Sequence, residues 1–229
     1  MLCSLEAWLP TNRSAAWFID VAKAIAVDLA TNDLQTGVLG ADLVVHSATK
    51  YLTGNGTVTG GIVVDSGKFD WTKSGKFPSL SEPEPAYHGL AFHPALGAMA
   101  FTFHSIAIGL RDLGMTMNPQ GAHYTLMGIE TLSLRMERHV ANARKIAEWL
   151  EKDPRVDYVT YAGLPSSPYN HRVARICPKG AGALFTFAVK GGYDACVKLI
   201  DNLKLFSHVA NLGDTRSLII SWPLPVREG

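Results

Sequence analysis

Little in this sequence favours a secreted, membrane-spanning or nucleic-acid-binding protein. The 229 residues include only three cysteines, and the wide spacing of Cys3, Cys177 and Cys196 suits neither a disulfide framework nor a zinc site. Lys plus Arg number 21 and Asp plus Glu 20, so a net charge of +1 offers no basic surface for nucleic acid. No apolar run is as long as a transmembrane helix, and a basic signal-peptide segment is absent from the start of the sequence. We therefore expect a soluble cytoplasmic protein.

Apolar sequence is plentiful, and its first half has an α/β pattern. Hydrophobic residues make up 47% of the chain, which is enough for one large domain or two modest ones. Residues 41–46 and 60–65 are short and rich in Val and Ile, so they predict buried strands of a parallel type. The proline-rich and aromatic-rich residues 67–94 predict a long functional loop or lid. Residues 95–114 predict a largely buried helix that ends at Gly114.

The second half has a different pattern. Apolar residues recur at spacings of three and four between residues 119 and 153, which predicts one long helix that Pro154 ends. Beyond it, we predict three strands (VDYVTY, ALFTFAVK and SLIIS) and a helix (DACVKLIDNLKLF), which is an α+β arrangement. We place a domain boundary inside the long helix, near residue 135. This gives a partial large domain over 1–135 and a partial small domain over 136–229.

One predicted strand ends at a candidate reactive lysine. The strand ADLVVH runs into Ser47, Ala48, Thr49 and Lys50, and a glycine-rich stretch follows. A lysine amine in a desolvating pocket can form a Schiff base with pyridoxal phosphate, while hydroxyls and turn amides can hold the phosphate. A carboxylate such as Asp28, at the end of an earlier predicted strand, could keep the pyridine nitrogen protonated. From these few residues alone, a solvated turn is the commoner interpretation, and an aspartate at a strand end often caps a helix.

A longer comparison of motifs favours the cofactor. Residues 41–71, ADLVVHSATKYLTGNGTVTGGIVVDSGKFDW, are similar to the Schiff-base segment of the Cys/Met-metabolism pyridoxal-phosphate enzymes. This family includes cystathionine synthase and lyase, methionine lyase and O-acetylhomoserine sulfhydrylase. The resemblance covers residues 40–220. Two stretches, FDW…FPSLSEP…YHG and DLGMTMNPQGAHYTLMGIETL, most resemble the O-acetylhomoserine sulfhydrylase (aminocarboxypropyltransferase) branch.

The resemblance implies both a fold and a set of site residues. The fold is α/β: part of an aspartate-aminotransferase-like, fold-type-I large domain, with a smaller α+β domain at its C-terminal side. The cofactor is pyridoxal 5'-phosphate. Lys50 matches the catalytic Schiff-base lysine, and Ser47 and Thr49 match the hydroxyls that hold the cofactor phosphate. Asp28 matches the aspartate paired with the pyridine nitrogen, although it lies here in VDLA and not in a VDNT-like motif. Ser217, in GDTRSL, falls where the family places a residue near the substrate carboxylate.

The implied reaction is a γ-replacement. O-acetyl-L-homoserine would react with sulfide or methanethiol to give homocysteine or methionine and acetate, in a homo-oligomer such as a dimer or tetramer. Residues 1–15 and those after Ile220 leave the family pattern, and the arginine expected to clamp the substrate carboxylate is absent. We therefore expect a truncated sequence. Two alternatives stay open: a cystathionine γ-synthase or γ-lyase of the same family, and a non-catalytic remnant.

Overall fold

A computed structural model describes residues 41–221 of the chain. The strand predicted to end at Asp28 lies outside the described residues. Within them, the strands are β1 (Leu43–Ser47), β2 (Gly61–Asp65), β3 (Val156–Thr160), β4 (Thr186–Val189), β5 (Ser207–His208) and β6 (Leu218–Ile219). The α-helices are α1 (Pro78–Ser81), α2 (Phe92–Leu96), α3 (Ala100–His104), α4 (Pro119–Glu130), α5 (Leu132–Leu150), α6 (Asn170–Ile176) and α7 (Gly192–Asn202).

Strands β1 and β2 confirm two of the predicted strands, but their direction differs from the prediction, and β2, expected to be buried, contains no buried residue. They pair antiparallel, in a register that runs from Leu43 opposite Asp65 to Ser47 opposite Gly61. The expected parallel arrangement is wrong here because only a helical turn and a glycine-rich stretch join the strands. A parallel pair usually needs a crossover helix between its strands. Along β1, Val44 is buried and Val45 is exposed, the alternation of a sheet with one face packed.

The region predicted as one long helix forms two. Helix α4 ends at Glu130 and α5 begins at Leu132; Thr131, between them, has φ of −104° and ψ of 4°, which depart from helical values. The Gly128 carbonyl accepts hydrogen bonds from the Thr131 side chain (3.3 Å) and from the Arg135 guanidinium (2.6 Å). These side chains satisfy a carbonyl at the end of α4, which is how helices commonly terminate.

Helix α5 carries the predicted apolar face into the interior. Its members Leu132, Met136, Ala143, Ala147 and Leu150 are all buried. The N-terminal part of this face contacts Ala48, Tyr51 and Leu52, and Ala147 packs near Tyr161 and Leu164. The predicted domain boundary near residue 135 falls within α5 and stays a prediction.

The segment between β2 and α4 is built from short helical pieces. A 3-10 turn (Gly97–Met99) joins α2 to α3, and wide helical turns follow over Ser105–Asp112. Gly114, with φ of 70°, follows these turns, as predicted. The expectation of a largely buried helix over 95–114 is wrong: Ala100 is buried, but Phe103 and Ile106 are nearly half exposed. One side of the segment packs on an aromatic cluster, while the described residues place nothing over the other side.

The C-terminal part of the described chain has the expected α+β arrangement. Strands β3 and β4 pair antiparallel, α7 follows β4, and the short strands β5 and β6 pair in parallel. Helix α6 was not predicted, because its short polar sequence NHRVARI has little apolar periodicity. Across residues 41–221, no helix has both the length and the apolar character needed to cross a membrane. No group of His, Cys, Asp and Glu in that range could hold a metal ion.

Candidate functional site

The candidate lysine lies on a turn that directly follows β1. This lysine turn, Ala48–Gly54, begins as a wide helical turn that Lys50 interrupts with non-helical angles (φ −88°, ψ −127°). Two main-chain hydrogen bonds close it: Thr53 N–H donates to the Ala48 carbonyl (3.1 Å) and Gly54 N–H to the Lys50 carbonyl (2.8 Å). Gly54 has φ of +81°, a conformation that glycine adopts readily. The turn therefore displays Lys50 at the end of a strand, as the sequence predicts.

The Lys50 amine has a partner from far along the chain. Its Nζ donates a hydrogen bond to the Asn211 side-chain oxygen, across 161 residues of sequence. The segment that carries Asn211 also touches the main chain of the turn. A Cβ built on Gly213 would lie 2.5 Å from the Tyr51 nitrogen, so only glycine allows this approach. Lys50 is thus half-buried between its own turn and the segment 211–214.

Two hydroxyl residues, Ser47 and Thr49, directly precede the lysine. The Thr49 hydroxyl accepts from the Gly60 N–H at 3.0 Å and donates to the Gly60 carbonyl at 3.4 Å. The second bond is long, so a stronger acceptor could replace it. Ser47 ends β1 and makes no side-chain capping bond to the lysine turn within the described residues. Hydroxyl groups close in sequence to an amine supply the kind of donor that a phosphate ester carrying an aldehyde would need.

Arg135 of α5 binds the main chain of the lysine turn. Its Nη1 donates to the Tyr51 carbonyl (2.9 Å) and its Nη2 to the Leu52 carbonyl (3.4 Å). Burial lowers the pKa of Arg135, but a guanidinium stays protonated in proteins. Arg135 is therefore a fixed positive fork against the main chain of the turn.

Helix α4 approaches the same turn through a glycine and a threonine. A Cβ on Gly128 would lie 2.3 Å from the Leu52 carbonyl oxygen, so this contact requires glycine. The buried hydroxyls of Thr53 and Thr125 lie 3.1 Å apart, and Thr125 also donates to the Gly121 carbonyl (2.8 Å). The lysine turn is thus enclosed by α4, α5 and the segment 211–214.

A cavity of about 700 Å³ adjoins the lysine turn, between α5, β3 and β4, α7 and the segment 211–219. Tyr51, Asn211 and Ser217 are among the residues that line it. Burial raises the pKa of Tyr51 to about 12. His139 packs edge-to-face on Tyr51, with ring centroids 5.9 Å apart, and burial lowers its pKa. Both rings are therefore neutral at pH 7.

An ion pair borders the cavity beside the glycine-rich stretch. Asp214, whose side chain is 3% exposed, accepts from the Arg216 guanidinium at 2.9 Å and 3.2 Å and from the Arg216 N–H at 2.9 Å. The guanidinium hydrogen bonds hold the pKa of Asp214 below its usual value. A Cβ on Gly56 would lie 3.1 Å from the Asp214 carboxylate. The pair therefore packs on the loop that follows the lysine turn.

The structure places three of the predicted site residues at one strand end and a fourth, Ser217, in a cavity that those three do not line. Ser47, Thr49 and Lys50 share one strand end, and Ser217 lines the cavity that Asn211 also lines. Asp28 lies outside the described residues. The roles assigned to all five residues stay predictions.

Sequence reasoning missed Asn211 and Arg135. A signal for Arg135 was present, because it lies beside the buried Leu132 and Met136 on the predicted apolar face of the helix. Nothing in the sequence pairs Asn211 with a lysine 161 residues earlier.

Comparison with known proteins gives this arrangement a family context. The profile of the Cys/Met metabolism PLP-dependent enzymes matches residues 18–226. A homocysteine synthase of Schizosaccharomyces pombe is 48% identical over 183 residues, which are 80% of this chain and 43% of the relative. O-acetyl-L-homoserine sulfhydrylase 1 of Thermus thermophilus is 48% identical over 79% of this chain and 43% of its own length. The chain thus spans less than half the length of these curated relatives.

Solved structures show the same likeness. A Campylobacter jejuni protein assigned as an O-acetylhomoserine (thiol)-lyase matches with a TM-score of 0.75 and 35% identity, over 81% of this chain and 46% of that one. That crystal structure carries N'-pyridoxyl-lysine-5'-monophosphate. A cystathionine γ-synthase of Xanthomonas oryzae, in complex with aminoacrylate and cysteine, matches with a TM-score of 0.59 and 32% identity, over 80% of this chain and 39% of that one.

Proposed function

Because the chain belongs to the Cys/Met metabolism PLP-dependent enzymes, we propose that it carries the cofactor-attachment site of an enzyme that performs γ-replacement on O-acetyl-L-homoserine. Sulfide or methanethiol would be the acceptor, and homocysteine or methionine and acetate the products. The observation that carries this proposal is Lys50, which follows the hydroxyl residues Ser47 and Thr49 at the end of β1 and donates a hydrogen bond to Asn211. The names of the relatives, homocysteine synthase and O-acetyl-L-homoserine sulfhydrylase, support the choice of substrate.

The residues of the lysine turn divide the work by their chemistry. Ser47 and Thr49 would donate hydrogen bonds to the phosphate of the cofactor, and Lys50 would attach its aldehyde carbon. Pyridoxal phosphate, when bound, supplies an electron sink for carbanion chemistry. In its free form, the Lys50 amine would move protons at the α and β carbons of the substrate.

The neighbouring residues would orient these groups. Asn211 accepts from Lys50 Nζ and would hold the amine in reach of the substrate. Ser217 would contribute to binding the substrate carboxylate from the cavity that it lines together with Asn211. Asp28 would pair with the pyridine nitrogen. Holding reacting groups in place in this way is a large part of enzymatic rate enhancement.

The likeness to a cystathionine γ-synthase supports a second candidate, γ-replacement with cysteine as the acceptor. The sulfhydrylase assignment is favoured because the thiol-lyase structure matches with the higher TM-score, 0.75 against 0.59.

The whole protein would work in the cytoplasm as a homo-oligomer. The buried free thiol of Cys196 is compatible with a reducing compartment, and exposed apolar residues such as Phe103 and Ile106 offer a surface that a second copy could cover.

The test is to locate the cofactor and then follow the products. The chain is incubated with pyridoxal phosphate, reduced with borohydride and mapped by peptide mass spectrometry. We expect one adduct, on Lys50, its complete loss in Lys50→Arg, and no change in Lys73→Arg, which alters an exposed lysine. Product assays with O-acetylhomoserine then compare sulfide, methanethiol and cysteine as acceptors.

Each outcome separates the candidates. Preferred turnover with sulfide or methanethiol supports the sulfhydrylase, and preferred turnover with cysteine supports the synthase. Release of a ketoacid without an acceptor would indicate a γ-lyase. Adducts scattered over many lysines would argue against a formed cofactor site and favour the non-catalytic alternative.

A further inference from the structure

We propose that Arg135 is a positioning residue for Lys50. Its guanidinium fixes the main chain of the lysine turn, and this fixes the direction in which the Lys50 amine points. The inference rests on the proposed function of Lys50, because only a reactive lysine needs a fixed direction. The guanidinium donates to main-chain carbonyls and to a threonine hydroxyl, so Arg135 would act on Lys50 through the turn.

Four hydrogen bonds tie Arg135 to three separate places. Nη1 donates to the Tyr51 carbonyl (2.9 Å), and Nη2 donates to the carbonyls of Leu52 (3.4 Å) and Gly128 (2.6 Å). Nε donates to the Thr131 hydroxyl at 3.2 Å. The planar fork of a guanidinium holds such partners in a fixed mutual geometry. One side chain thereby links the end of α4, the start of α5 and the two residues that follow Lys50.

The lysine turn needs an external partner of this kind. The helical turn ends at Leu52, so no following helical turn supplies main-chain donors to the carbonyls of Tyr51 and Leu52. Buried main-chain carbonyls require hydrogen-bond donors, and an unsatisfied one is costly. Arg135 supplies these donors from a helix whose neighbouring residues, Leu132 and Met136, are buried in the core.

The guanidinium also packs against Gly54, the last residue of the lysine turn. A Cβ on Gly54 would lie 2.2 Å from Arg135 Nη1, so the guanidinium fills the space beside this glycine. Gly54 N–H donates to the Lys50 carbonyl at 2.8 Å. Arg135 therefore contacts the residue that anchors the carbonyl of Lys50, as well as the next two carbonyls along the chain. Loss of Arg135 should therefore loosen the turn, because it removes both the contact with Gly54 and the hydrogen bonds to the Tyr51 and Leu52 carbonyls.

Two measurements that need no cofactor test this role. In hydrogen–deuterium exchange of the full chain, the amides of Thr53 and Gly54 report closure of the turn, and residues 156–160 of β3 report the rest of the fold. We expect exchange at Thr53 and Gly54 to accelerate about tenfold in Arg135→Met, with β3 unchanged, because a local opening loses several hydrogen bonds. Arg144→Met, which removes an exposed ion pair with Glu148 on the same helix, is the matched control.

The second measurement follows the amine itself. Trace acetylation with acetic anhydride gives the reactivity of Lys50 relative to the exposed Lys73. We expect this ratio to rise about threefold in Arg135→Met, because a loosened turn releases the amine from Asn211 for a larger part of the time. Arg135→Lys keeps the positive charge but loses the planar guanidinium, so its acetylation ratio should lie between those of the unaltered chain and Arg135→Met.

The results can overturn the proposal independently of the proposed function. Unchanged exchange at Thr53 and Gly54 would show that Arg135 does not hold the turn. Faster local exchange with an unchanged acetylation ratio would show that holding the turn does not position Lys50. If Arg135→Met exchanges rapidly everywhere, Thr131→Val, which removes the hydrogen-bond partner of Arg135 Nε, is measured in its place. Faster exchange confined to Thr53 and Gly54 in this variant supports the proposal, and unchanged exchange at these amides overturns it. Failure of cofactor labelling at Lys50 in the unaltered chain would instead refute the proposed function.

Discussion

The lysine turn and the aromatic segment, residues 69–101, are held in place by opposite means. Distant polar groups fix the lysine turn: Arg135 and Asn211 reach it across 84 and 161 residues of sequence. The aromatic segment is held by rings that belong to the segment itself. Trp71 contacts Phe69, Phe77 and Phe101 at centroid distances of 4.6, 5.0 and 5.5 Å. The turn therefore depends on assembly of the whole described chain, whereas the aromatic segment depends on local packing.

The two kinds of contact serve different purposes: one fixes the position of the Lys50 amine, and the other stabilises the fold. Hydrogen bonds are directional and contribute modestly to net stability, so the contacts of the lysine turn are suited to fixing where an amine points. Aromatic side chains bury large apolar areas, so the rings of the aromatic segment are suited to supplying folding free energy. A substitution in the aromatic segment should consequently leave the lysine turn in place.

The largest expected effect breaks the aromatic segment. Trp71 is 8% exposed, and Trp71→Ala removes a ring that packs on three others, so we expect the free energy of unfolding to fall by about 3–5 kcal/mol. Denaturant unfolding measures this loss. Trp149→Ala is the matched control, because Trp149 is 60% exposed and its removal should cost less than about 1 kcal/mol. Equal losses in the two variants would contradict the assignment of stability to the aromatic cluster.

The separation of the regions adds a second requirement. In Trp71→Ala, at a denaturant concentration where the chain is folded, amide exchange at Thr53 and Gly54 should match that of the unaltered chain. Markedly faster exchange at these two amides would show that the lysine turn depends on the aromatic segment.

Sequence patterns predicted the elements around the lysine turn well, but not the short helical pieces that form where a buried helix was expected over residues 95–114. The Val- and Ile-rich runs predicted β1 and β2, and the spacing of Leu132, Met136 and Ala143 predicted the buried face of α5, because each of these signals acts within a few residues. The position of Lys50 at the mouth of a strand also followed from the sequence. The predictions that failed depend on contacts between elements. The direction of β2 depends on the connection between the strands, and the break at Thr131 depends on competition for the Gly128 carbonyl.

The partners of the site illustrate the same limit. Asn211 comes within hydrogen-bond reach of Lys50 only because the segment 211–214 packs on the turn through Gly213. No periodicity or propensity encodes a contact between residues so far apart. The sequence could indicate a reactive lysine from its neighbours, but which groups restrain that lysine follows only from the tertiary structure.

A glycine substitution sharpens the comparison at the lysine turn. Gly213 has φ of +75°, and its Cβ position lies 2.5 Å from the Tyr51 nitrogen and 2.9 Å from the Lys50 carbonyl carbon. These are main-chain atoms, so a methyl group must push the segment 211–214 away from the turn. We expect Gly213→Ala to lower the free energy of unfolding by about 2–3 kcal/mol, from the left-handed conformation together with the clash. Borohydride trapping of cofactor on Lys50 should also decrease, because Asn211 moves with the segment.

Gly114 provides the control for the conformational cost alone. Its φ is +70°, but nothing lies within 4 Å of its Cβ position. Gly114→Ala should therefore cost about 1–2 kcal/mol, the penalty of the left-handed conformation, and leave labelling of Lys50 unchanged. If the two alanine variants lose equal stability and label equally, the close approach of Gly213 does not restrain the turn.

The mildest prediction concerns pH and the wall of the cavity beside the turn. Burial lowers the pKa of His139, the charge of Arg135 lowers it further, and Asp214 opposes both. The usual pKa of 6.5 applies in the unfolded chain, so the unfolded chain binds more protons as the pH falls below that value. Stability linked to His139 is therefore complete above pH 6.5 and is lost as the pH falls toward the lower folded pKa. Unfolding measured between pH 8 and pH 5 should show this loss.

Substitution identifies the residue responsible. His139→Gln should remove this part of the pH dependence, whereas His123→Gln, which replaces an exposed histidine of α4, should retain it. Lys50 labelling at pH 7 should be the same in His139→Gln and the unaltered chain, because His139 packs on the Tyr51 ring and Arg135 holds the Tyr51 carbonyl. Reduced labelling would mean that the ring contact also positions the lysine turn, and that directional polar contacts are not sufficient to fix it.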